Sequence, residues 1–214
     1  MQYTSQVGVY SPLFDRLLYR HPFEGSSARR YARDARPAFG DFDDRLLDRL
    51  APALGDARRL LDLGCGPGTL ARRAAARFAA LHVVAIDPSR DFARDGVVRA
   101  AGEALPLADG SIDVAICLSS IRYVRDRAAT LRELRRVVRG SLVIVELDPD
   151  ADRARVAHHA GQLGSAMLRH AFGPLMLRTA PPASAIAGLA GCAGFALRAL
   201  AADPIQPFYV MELA

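Results

Sequence analysis

From residue 59 onward, short apolar runs alternate along the chain with amphipathic stretches of helical periodicity. Short strands separated by helices are typical of βαβ units, in which helices cover both faces of a mostly parallel sheet. The predicted strands are 60–63, 81–86, 97–100, 112–118, 142–147, 195–200 and 208–213, and the predicted helices are 42–54, 69–80, 126–139, 151–172 and 182–192. This alternation places the chain in the α/β fold class.

The last two predicted strands are joined differently from the others. Only the short segment 201–207, which contains Pro204 and Pro207, separates them. A parallel crossover needs a dozen or more residues, so these two strands are expected to pair antiparallel. The sequence therefore predicts one antiparallel strand at the end of an otherwise parallel sheet.

Composition is that of a globular protein with a substantial core. The chain has 214 residues, of which 51% are hydrophobic and 24% charged, which suits a single α/β domain and argues against disorder. The three cysteines are odd in number and widely spaced, which favours reduced thiols in a cytoplasmic protein over disulfides or a zinc site. No apolar run approaches the roughly 18 residues of a membrane span, and the N-terminus lacks the pattern of a signal peptide.

The net charge of +5 raises the question of nucleic-acid binding. All 28 basic residues are arginines, and many stand beside aspartates, as in the stretches 41–45 and 125–127. Such mixed charge is typical of solvated helix faces, so no nucleic-acid partner is expected.

The strongest local motif is the strand–turn–helix segment 60–69, in which a Gly-x-Gly-x-Gly turn follows an apolar strand. Asp87 ends the next strand, roughly 20 residues on, where a carboxylate can accept hydrogen bonds from ribose hydroxyls. The third glycine, Gly68, comes one position earlier than in the dinucleotide motif, and Asp62 would repel a pyrophosphate but could hold an ammonium group. The motif favours a cationic, phosphate-free nucleoside over a nicotinamide cofactor.

Four blocks occur in order along the chain: LLDLGCGPG, VVAIDPS, GEALPLADGSIDVAICLSSIRYV and RAATLRELRRVVRGSLVIVELDP. Together they resemble the class I S-adenosylmethionine-dependent methyltransferases, and most of all the small-molecule group that includes the ubiquinone/menaquinone C-methyltransferases. The resemblance implies a Rossmann-like, seven-stranded sheet of order 3-2-1-4-5-7-6, with strand 7 antiparallel and helices on both faces. It also implies S-adenosylmethionine as cofactor and S-adenosylhomocysteine as product.

The resemblance divides a single methyltransferase domain, 1–214, into four parts. Residues 1–55 are expected to form a helical lid, 56–150 the cofactor-binding core, 151–180 a helical insertion beside the acceptor, and 181–214 the final helix and strand pair. Within the lid, the stretch 9–15 most resembles the family's cofactor-covering segment.

Cofactor-binding roles carry over onto the matching positions. Asp62 and the backbone of Gly64 and Gly66 would hold the methionine part, and Asp87 would bind the ribose. The other expected cofactor-binding residues are Cys65, Pro88, Glu103, Ala104, Leu105, Leu118 and Ser119, with Glu103–Leu105 bordering the adenine and Leu118 and Ser119 near the acceptor.

Tyr123 and His158 are the predicted catalytic residues on the acceptor side. A general base is needed only if the acceptor must lose a proton, and the further candidates are His159, His170, Tyr10, Tyr19 and Glu146. Because neighbouring residues of a helix point about 100° apart, at most one of the two adjacent histidines can face inward. The insertion could supply an apolar wall over the acceptor, or ordinary core packing, through Leu163, Met167, Leu168, Phe172, Leu175, Met176 and Leu177.

The predicted function is direct in-line methyl transfer to a small, apolar or aromatic acceptor by a monomer or homodimer. Two alternatives stay open: a methyltransferase-like protein that binds the cofactor without turnover, and an RNA methyltransferase. The stretch 118–121 lacks the Asp/Asn-Pro-Pro-aromatic run of base amino-group methylation. No metal is expected, since Glu146, Asp148 and Asp150 have no acidic partner after strand 4.

Overall fold

A computed structural model describes residues 23–93 and 96–214 of the chain. Its centre is a seven-stranded sheet in the order β3-β2-β1-β4-β5-β7-β6. The strands are β1 Arg59–Leu63, β2 His82–Asp87, β3 Val97–Arg99, β4 Ile112–Leu118, β5 Val138–Leu147, β6 Leu197–Ala202 and β7 Phe208–Leu213. Neighbouring strands from β3 to β5 pair parallel, whereas β7 pairs antiparallel with both β5 and β6. The predicted fold, strand order and antiparallel strand are confirmed.

Helices connect the strands and cover both faces of the sheet. They are α1 Ser26–Arg30, α2 Phe42–Asp56, α3 Thr69–Arg77, α4 Arg127–Val137, α5 Arg153–Gln162, α6 Ala166–Ala171 and α7 Ala183–Cys192, with π-helical turns at Tyr31–Ala35 and Phe172–Leu177 and 3-10 turns at Arg36–Phe39 and Ile121–Tyr123. Within the described ranges, none of these helices is both long and apolar enough to cross a membrane.

Two hydrophobic clusters lie on opposite faces of the sheet. In β4, Val114 and Ile116 join the cluster with α2 and α3, whereas Ala115 and Cys117 join the cluster with α4 and α7. This alternation follows from the two-residue period of a strand, and it explains why the strands of a doubly covered sheet are apolar throughout.

The prediction of one continuous helix over 151–172 is wrong, because the structure has two shorter helices there, α5 and α6, separated by residues 163–165. The Gly164 N–H donates to the carbonyl of Asp34 at 3.0 Å, and a Cβ at this position would lie 3.3 Å from Asp34 Cα. The close approach of the segment around Asp34 thus replaces a helical hydrogen bond here.

Strand β5 also begins earlier than predicted, directly after α4. At Gly140 an added Cβ would lie 2.2 Å from the carbonyl oxygen of Asp113 on β4. Only a residue without a side chain allows the two strands to pair this closely at that point.

Many of the arginines form ion pairs with acids on neighbouring elements. Arg73 and Arg77 on α3 pair with Asp44 and Asp48 on α2. These four side chains are all at least 40% exposed. Their placement agrees with the interpretation of these stretches as solvated helix faces.

Candidate functional site

The glycine turn after β1 is held against the end of β2 by backbone hydrogen bonds. The N–H groups of Gly64 and Cys65 both donate to the Ile86 carbonyl, at 2.7 and 3.1 Å. Gly64 has a φ of 71°, and an added Cβ would lie 2.3 Å from Ser120 Cβ, so both the conformation and the space require glycine. The turn therefore brings the ends of β1, β2 and β4 into direct contact.

Asp87 is buried at the end of β2 and bonded to the glycine turn. Its Oδ2 accepts the Gly66 N–H and its Oδ1 accepts the Ser89 N–H, both at 2.8 Å. Burial raises the pKa of the carboxyl, while the two backbone donors act in the opposite direction. Each carboxylate oxygen of Asp87 keeps a second lone pair that can accept a hydrogen bond from a hydroxyl group. The next residue, Pro88, is exposed.

Asp62, the second-to-last residue of strand β1, is a buried acid with an unused oxygen. The residue is 1% exposed, and its Oδ2 has no hydrogen-bond partner in the described part of the chain. Burial, with a smaller contribution from nearby Asp43, raises the pKa of its carboxyl to about 7, although Arg36 and the Ala71 N–H of α3 act in the opposite direction. An orphaned, desolvated carboxylate gains from a cation, so this position fits the amino group of a bound amino-acid moiety.

Two aromatic rings that the sequence analysis missed pack against the glycine turn. An added Cβ at Gly66 would lie 3.7 Å from Tyr31 Cε1 and 3.9 Å from Phe92 Cε2. Phe92 is 7% exposed and follows Asp87 by only a few residues, so an aromatic after the second strand was the available signal. Tyr31 lies in a separate π-helical turn and had no such signal.

The segment 103–107 is fixed to helix α4. Glu103 accepts the Asp126 N–H at 2.8 Å, and the Leu105 N–H donates to Glu133 at 3.0 Å. Arg136 bonds to Glu133 and to the carbonyl of Leu105. Leu105 is thereby buried and its neighbour Ala104 left exposed at the surface.

Two further predicted cofactor-binding residues, Cys65 and Leu118, differ in burial. Cys65 is half-buried, with its Sγ 3.6 Å from the Gly66 carbonyl oxygen, and burial raises the pKa of its thiol. Leu118 is 8% exposed and belongs to the hydrophobic cluster with α2 and α3. Neither side chain offers a charged or strongly polar group to a ligand.

A cavity of about 280 Å³ adjoins this site at the carboxyl ends of β4 and β5. Its walls are mainly apolar and come from five separate segments: the N-terminal helical turns, the loop after β4, the end of β5, the insertion and the start of β7. The lining residues are Phe23, Ser27, Arg30, Tyr31, Ala35, Phe39, Ser119, Arg122, Tyr123, Glu146, Leu147, His159, Leu163, Leu168, Phe172, Leu175 and Phe208.

Three polar residues form the floor of the cavity where β4 and β5 end. Ser119 has a φ of 50°, unusual for a residue with a side chain, and its Oγ has no partner in the described ranges. Glu146 is fully buried and pairs with Arg122, whose guanidinium also donates to Thr179 Oγ1 at 2.8 Å. Burial raises the pKa of Glu146, and Arg122 lowers it in part.

The structure places His159, not His158, in the cavity. His158 is exposed, whereas His159 is 4% exposed and stacks on Phe172 with ring centroids 4.5 Å apart. Its Nδ1 lies 2.7 Å from Gln206 Oε1, and burial lowers the pKa of the imidazole to about 4. The helical phase of α5, which the sequence left open, decides which neighbour faces inward.

The other acceptor-side candidates are divided between the cavity and the surface. Tyr123 lines the cavity and makes an edge-to-face contact with Phe23 at 4.9 Å. His170 is exposed, with its Nδ1 2.8 Å from the Ala166 carbonyl. Tyr10, Tyr19 and the expected lid stretch 9–15 lie outside the described residues.

The predicted apolar wall is only partly in place. Four of its residues line the cavity: Leu163, Leu168, Phe172 and Leu175. Met167 instead points to solvent with 61% of its surface exposed, and Leu177 is buried in the core. The side chain of Met176 is outside the described part of the structure.

The sequence is similar to known methyltransferases over its central part. Residues 61–145 match the profile of the methyltransferase domain family. The chain is 30% identical to a malonyl-[acyl-carrier protein] O-methyltransferase of Halorhodospira halophila over 74% of this chain and 62% of that protein. It is 33% identical to a ubiquinone/menaquinone biosynthesis C-methyltransferase of Syntrophotalea carbinolica, over 55% of this chain and 62% of the relative.

The fold is shared with solved structures. An S-adenosylmethionine-dependent methyltransferase from Aquifex aeolicus superposes with a TM-score of 0.66 at 15% identity, over 88% of this chain and 96% of that one. The chain spans 47% to 62% of the length of the first curated relatives that it matches. By its strand order, its glycine-turn motif and this similarity, the chain has the class I methyltransferase fold, with a methyltransferase domain matched at residues 61–145.

Proposed function

We propose that this protein is an enzyme that transfers a methyl group from S-adenosylmethionine directly to a small, apolar or aromatic acceptor. The observation that supports the proposal is that the glycine turn, with the buried acids Asp62 and Asp87, and an apolar cavity adjoin at one edge of the sheet. Tyr31 belongs to both, since it packs against Gly66 and lines the cavity. This edge is also where open α/β sheets bind their ligands.

The residues around the glycine turn fit the parts of S-adenosylmethionine. Asp62 Oδ2 would take the amino group of the methionine part, with the backbone of Gly64, Cys65 and Gly66 alongside. Asp87 would accept the ribose hydroxyls. Phe92, Pro88 and the segment 103–105 would border the adenine, and Leu118 and Ser119 would lie nearest the methyl group and the acceptor. The two carboxylates would also balance the positive charge of the ligand.

The sulfonium of the bound cofactor supplies an electrophilic methyl group, so the main task of the chain is to position the acceptor. In-line alignment of two reactants contributes about 7–11 kcal/mol to a reaction of this type. The rings of Phe39, Phe172 and Phe208 border the cavity, where they would exclude water and stack on a flat acceptor. A cavity of about 280 Å³ suits a small molecule with one ring or a few fused rings.

Cofactor binding is tested by calorimetric titration of S-adenosylhomocysteine into the wild type, Asp87→Asn and Asp44→Asn. We expect Asp87→Asn to lose at least tenfold in affinity, about 1.4 kcal/mol, because it weakens a charge-assisted acceptor of the ribose hydroxyls. Asp44 lies on the exposed face of α2, so Asp44→Asn serves as the matched control. Absence of binding to the folded wild type would refute the proposal.

Turnover is tested separately with S-adenosylmethionine carrying a labelled methyl group and a panel of aromatic hydroxyl, amine and carboxylate compounds. We expect label to appear in at least one small acceptor and not in RNA. Tight cofactor binding without transfer to any acceptor would instead favour the alternative of a binding protein without turnover.

A further inference from the structure

Glu146 is a buried acid whose carboxylate the protein itself uses only in part. The residue is 0% exposed near the end of β5 and lines the cavity. Oε1 accepts the Leu147 N–H at 2.8 Å and lies 3.7 Å from Nη1 of Arg122. Oε2 has no hydrogen-bond partner among the residues described. An unpartnered buried carboxylate oxygen is costly, which suggests that a ligand in the cavity donates the missing hydrogen bond.

Strand register places Glu146 on the side of the cavity that adjoins the glycine turn. Leu118 of β4 pairs with Val145 of β5, and the Ser119 N–H donates to the Val145 carbonyl at 2.7 Å. The next residue, Ser120, donates its Oγ proton to the Leu63 carbonyl, just before the turn. A group bound at Glu146 would therefore lie beside Ser119 and close to the transferred methyl group.

The charged and titratable neighbours of Glu146 do not offset the effect of its burial on the pKa. Arg122 from the turn after β4 and Arg127 from α4 lower the pKa of Glu146, but its complete burial outweighs them and raises it. Tyr209 faces it from β7, and the pKa of that phenol is itself raised by burial, with its hydroxyl bonded to the Pro181 carbonyl. A carboxylate with a raised pKa accepts a proton more readily than one in water.

His159, another candidate base in the cavity, is poorly suited to accept a proton. Its Nδ1 is bonded to Gln206, and burial lowers the pKa of the ring to about 4. Its ring stacks on Phe172, so His159 contributes a planar packing surface to the cavity rather than a base.

We propose that Glu146 is the general base of the methyl transfer and that the acceptor is a neutral aromatic compound with a hydroxyl group that donates to Oε2. This rests on the proposed function. A lone pair of the hydroxyl oxygen attacks the methyl carbon, the carbon–sulfur bond breaks with its electron pair left on sulfur, and the hydroxyl proton passes to Glu146. The products are a methyl ether and a neutral thioether, and the proton then leaves to solvent.

The same arrangement disfavours an acceptor that is itself a carboxylate. An anionic oxygen next to Glu146 Oε2 would find a second acceptor in place of a donor, and Arg122 is already engaged by Glu146 and Thr179. Like charges in a desolvated site repel strongly. The acceptor would thus differ from the acid named for the malonyl-[acyl-carrier protein] O-methyltransferase relative.

The test uses para-nitrophenol, whose neutral and ionised forms absorb at different wavelengths, with S-adenosylhomocysteine present. We expect the wild type to bind the neutral phenol, and Glu146→Gln to shift the ratio of ionised to neutral bound probe at least tenfold toward the ion, because an amide can donate to the phenolate. We expect para-nitrobenzoate to bind Glu146→Gln at least tenfold more tightly than the wild type. The matched control is Glu212→Gln. Glu212 lies partly exposed on β7, the strand next to β5, and pairs with Arg49 of α2.

Equal ionisation of the probe in the wild type and Glu146→Gln would overturn the inference, as would failure of the wild type to bind the phenol. Calorimetry of S-adenosylhomocysteine on each variant separates the two proposals. If the cofactor product does not bind, the proposed function fails; if it binds and the probe does not distinguish the variants, only the role of Glu146 fails. Once a substrate is found, the wild-type rate should rise with pH through the titration of Glu146, and Glu146→Gln should lack that rise.

Discussion

The cofactor side and the acceptor side of the proposed site are built in different ways. Around the glycine turn, the hydrogen bonds join the turn to the end of the next strand along the chain and involve backbone groups, as between Gly66 and Asp87 and between Gly64 and Ile86. The acceptor cavity instead depends on side chains from five distant segments, among them Phe39, His159 and Phe208. The first region is specified locally, and the second exists only after the whole chain has packed.

This contrast explains how one fold can serve many acceptors. The backbone of the glycine turn forms a cradle that tolerates little change at Gly64, because a methyl group added there would lie 2.3 Å from Ser120 Cβ. A cavity lined by side chains of the N-terminal turns and the insertion can change shape without disturbing the cradle. The four predictions below test this division, from the largest expected effect to the smallest.

Gly64→Ala should have the largest effect on stability. The new Cβ would lie 2.3 Å from Ser120 Cβ and would impose a side chain on a backbone φ of 71°. Overpacking and left-handed strain together should lower the free energy of unfolding by about 4 kcal/mol, measured by urea denaturation. The control is Gly188→Ala in α7, where no atom of the described ranges lies within 4 Å of the added Cβ and a slight stabilisation is expected. If Gly64→Ala and Gly188→Ala changed the free energy of unfolding equally, the cradle would tolerate a side chain at residue 64.

Asp62→Asn should show that the buried carboxylate of Asp62 lowers the free energy of unfolding of the ligand-free protein. Because the pKa of Asp62 is raised to about 7 in the folded state, the folded protein binds a proton that the unfolded chain loses at lower pH. The free energy of unfolding of the wild type should therefore decrease as pH rises toward 7. In the variant this decrease should be smaller by about 2 kcal/mol. Urea denaturation of the ligand-free proteins across this pH range measures it, and identical pH profiles would contradict it.

His159→Gln should change the acid stability of the acceptor side. The pKa of His159 is lowered to about 4 in the folded state, so the unfolded chain takes up a proton first as pH falls. Stability present at neutral pH should be lost between about pH 6.5 and 4, and the variant should lose about 1–2 kcal/mol less over this interval. Thermal or urea unfolding measures the difference. The control is His158→Gln, because His158 is exposed. If both variants had the same pH profile, the ring of His159 would not be buried and neutral as the structure indicates.

Arg73→Gln should have the smallest effect. This arginine pairs with Asp44 across α2 and α3, but both side chains are 40% or more exposed. Exposed pairs contribute little, so the free energy of unfolding should change by less than about 0.5 kcal/mol. A larger loss in urea denaturation would mean that surface charge, and not the backbone cradle, stabilises the cofactor side.

Sequence reasoning succeeded where the physical cause is local or periodic. The alternation of strands and helices, the short link before β7 and the glycine turn were all readable, and the strand order followed from the resemblance that they carried. It failed where a distant segment intervenes, as at Gly164, where contact with Asp34 divides a predicted single helix.

The chain's own sequence therefore determined the fold class and the edge of the sheet where a nucleoside ligand would bind. These depend on hydrophobic period and on glycines whose backbone angles exclude other residues. Only the tertiary structure decided that His159 rather than His158 enters the cavity. It also decided that Glu146 meets Arg122 while one oxygen of Glu146 has no hydrogen-bond partner within residues 23–93 and 96–214. The reason is that burial and desolvation arise from the packing of residues far apart in sequence, and no local pattern records which of them will meet.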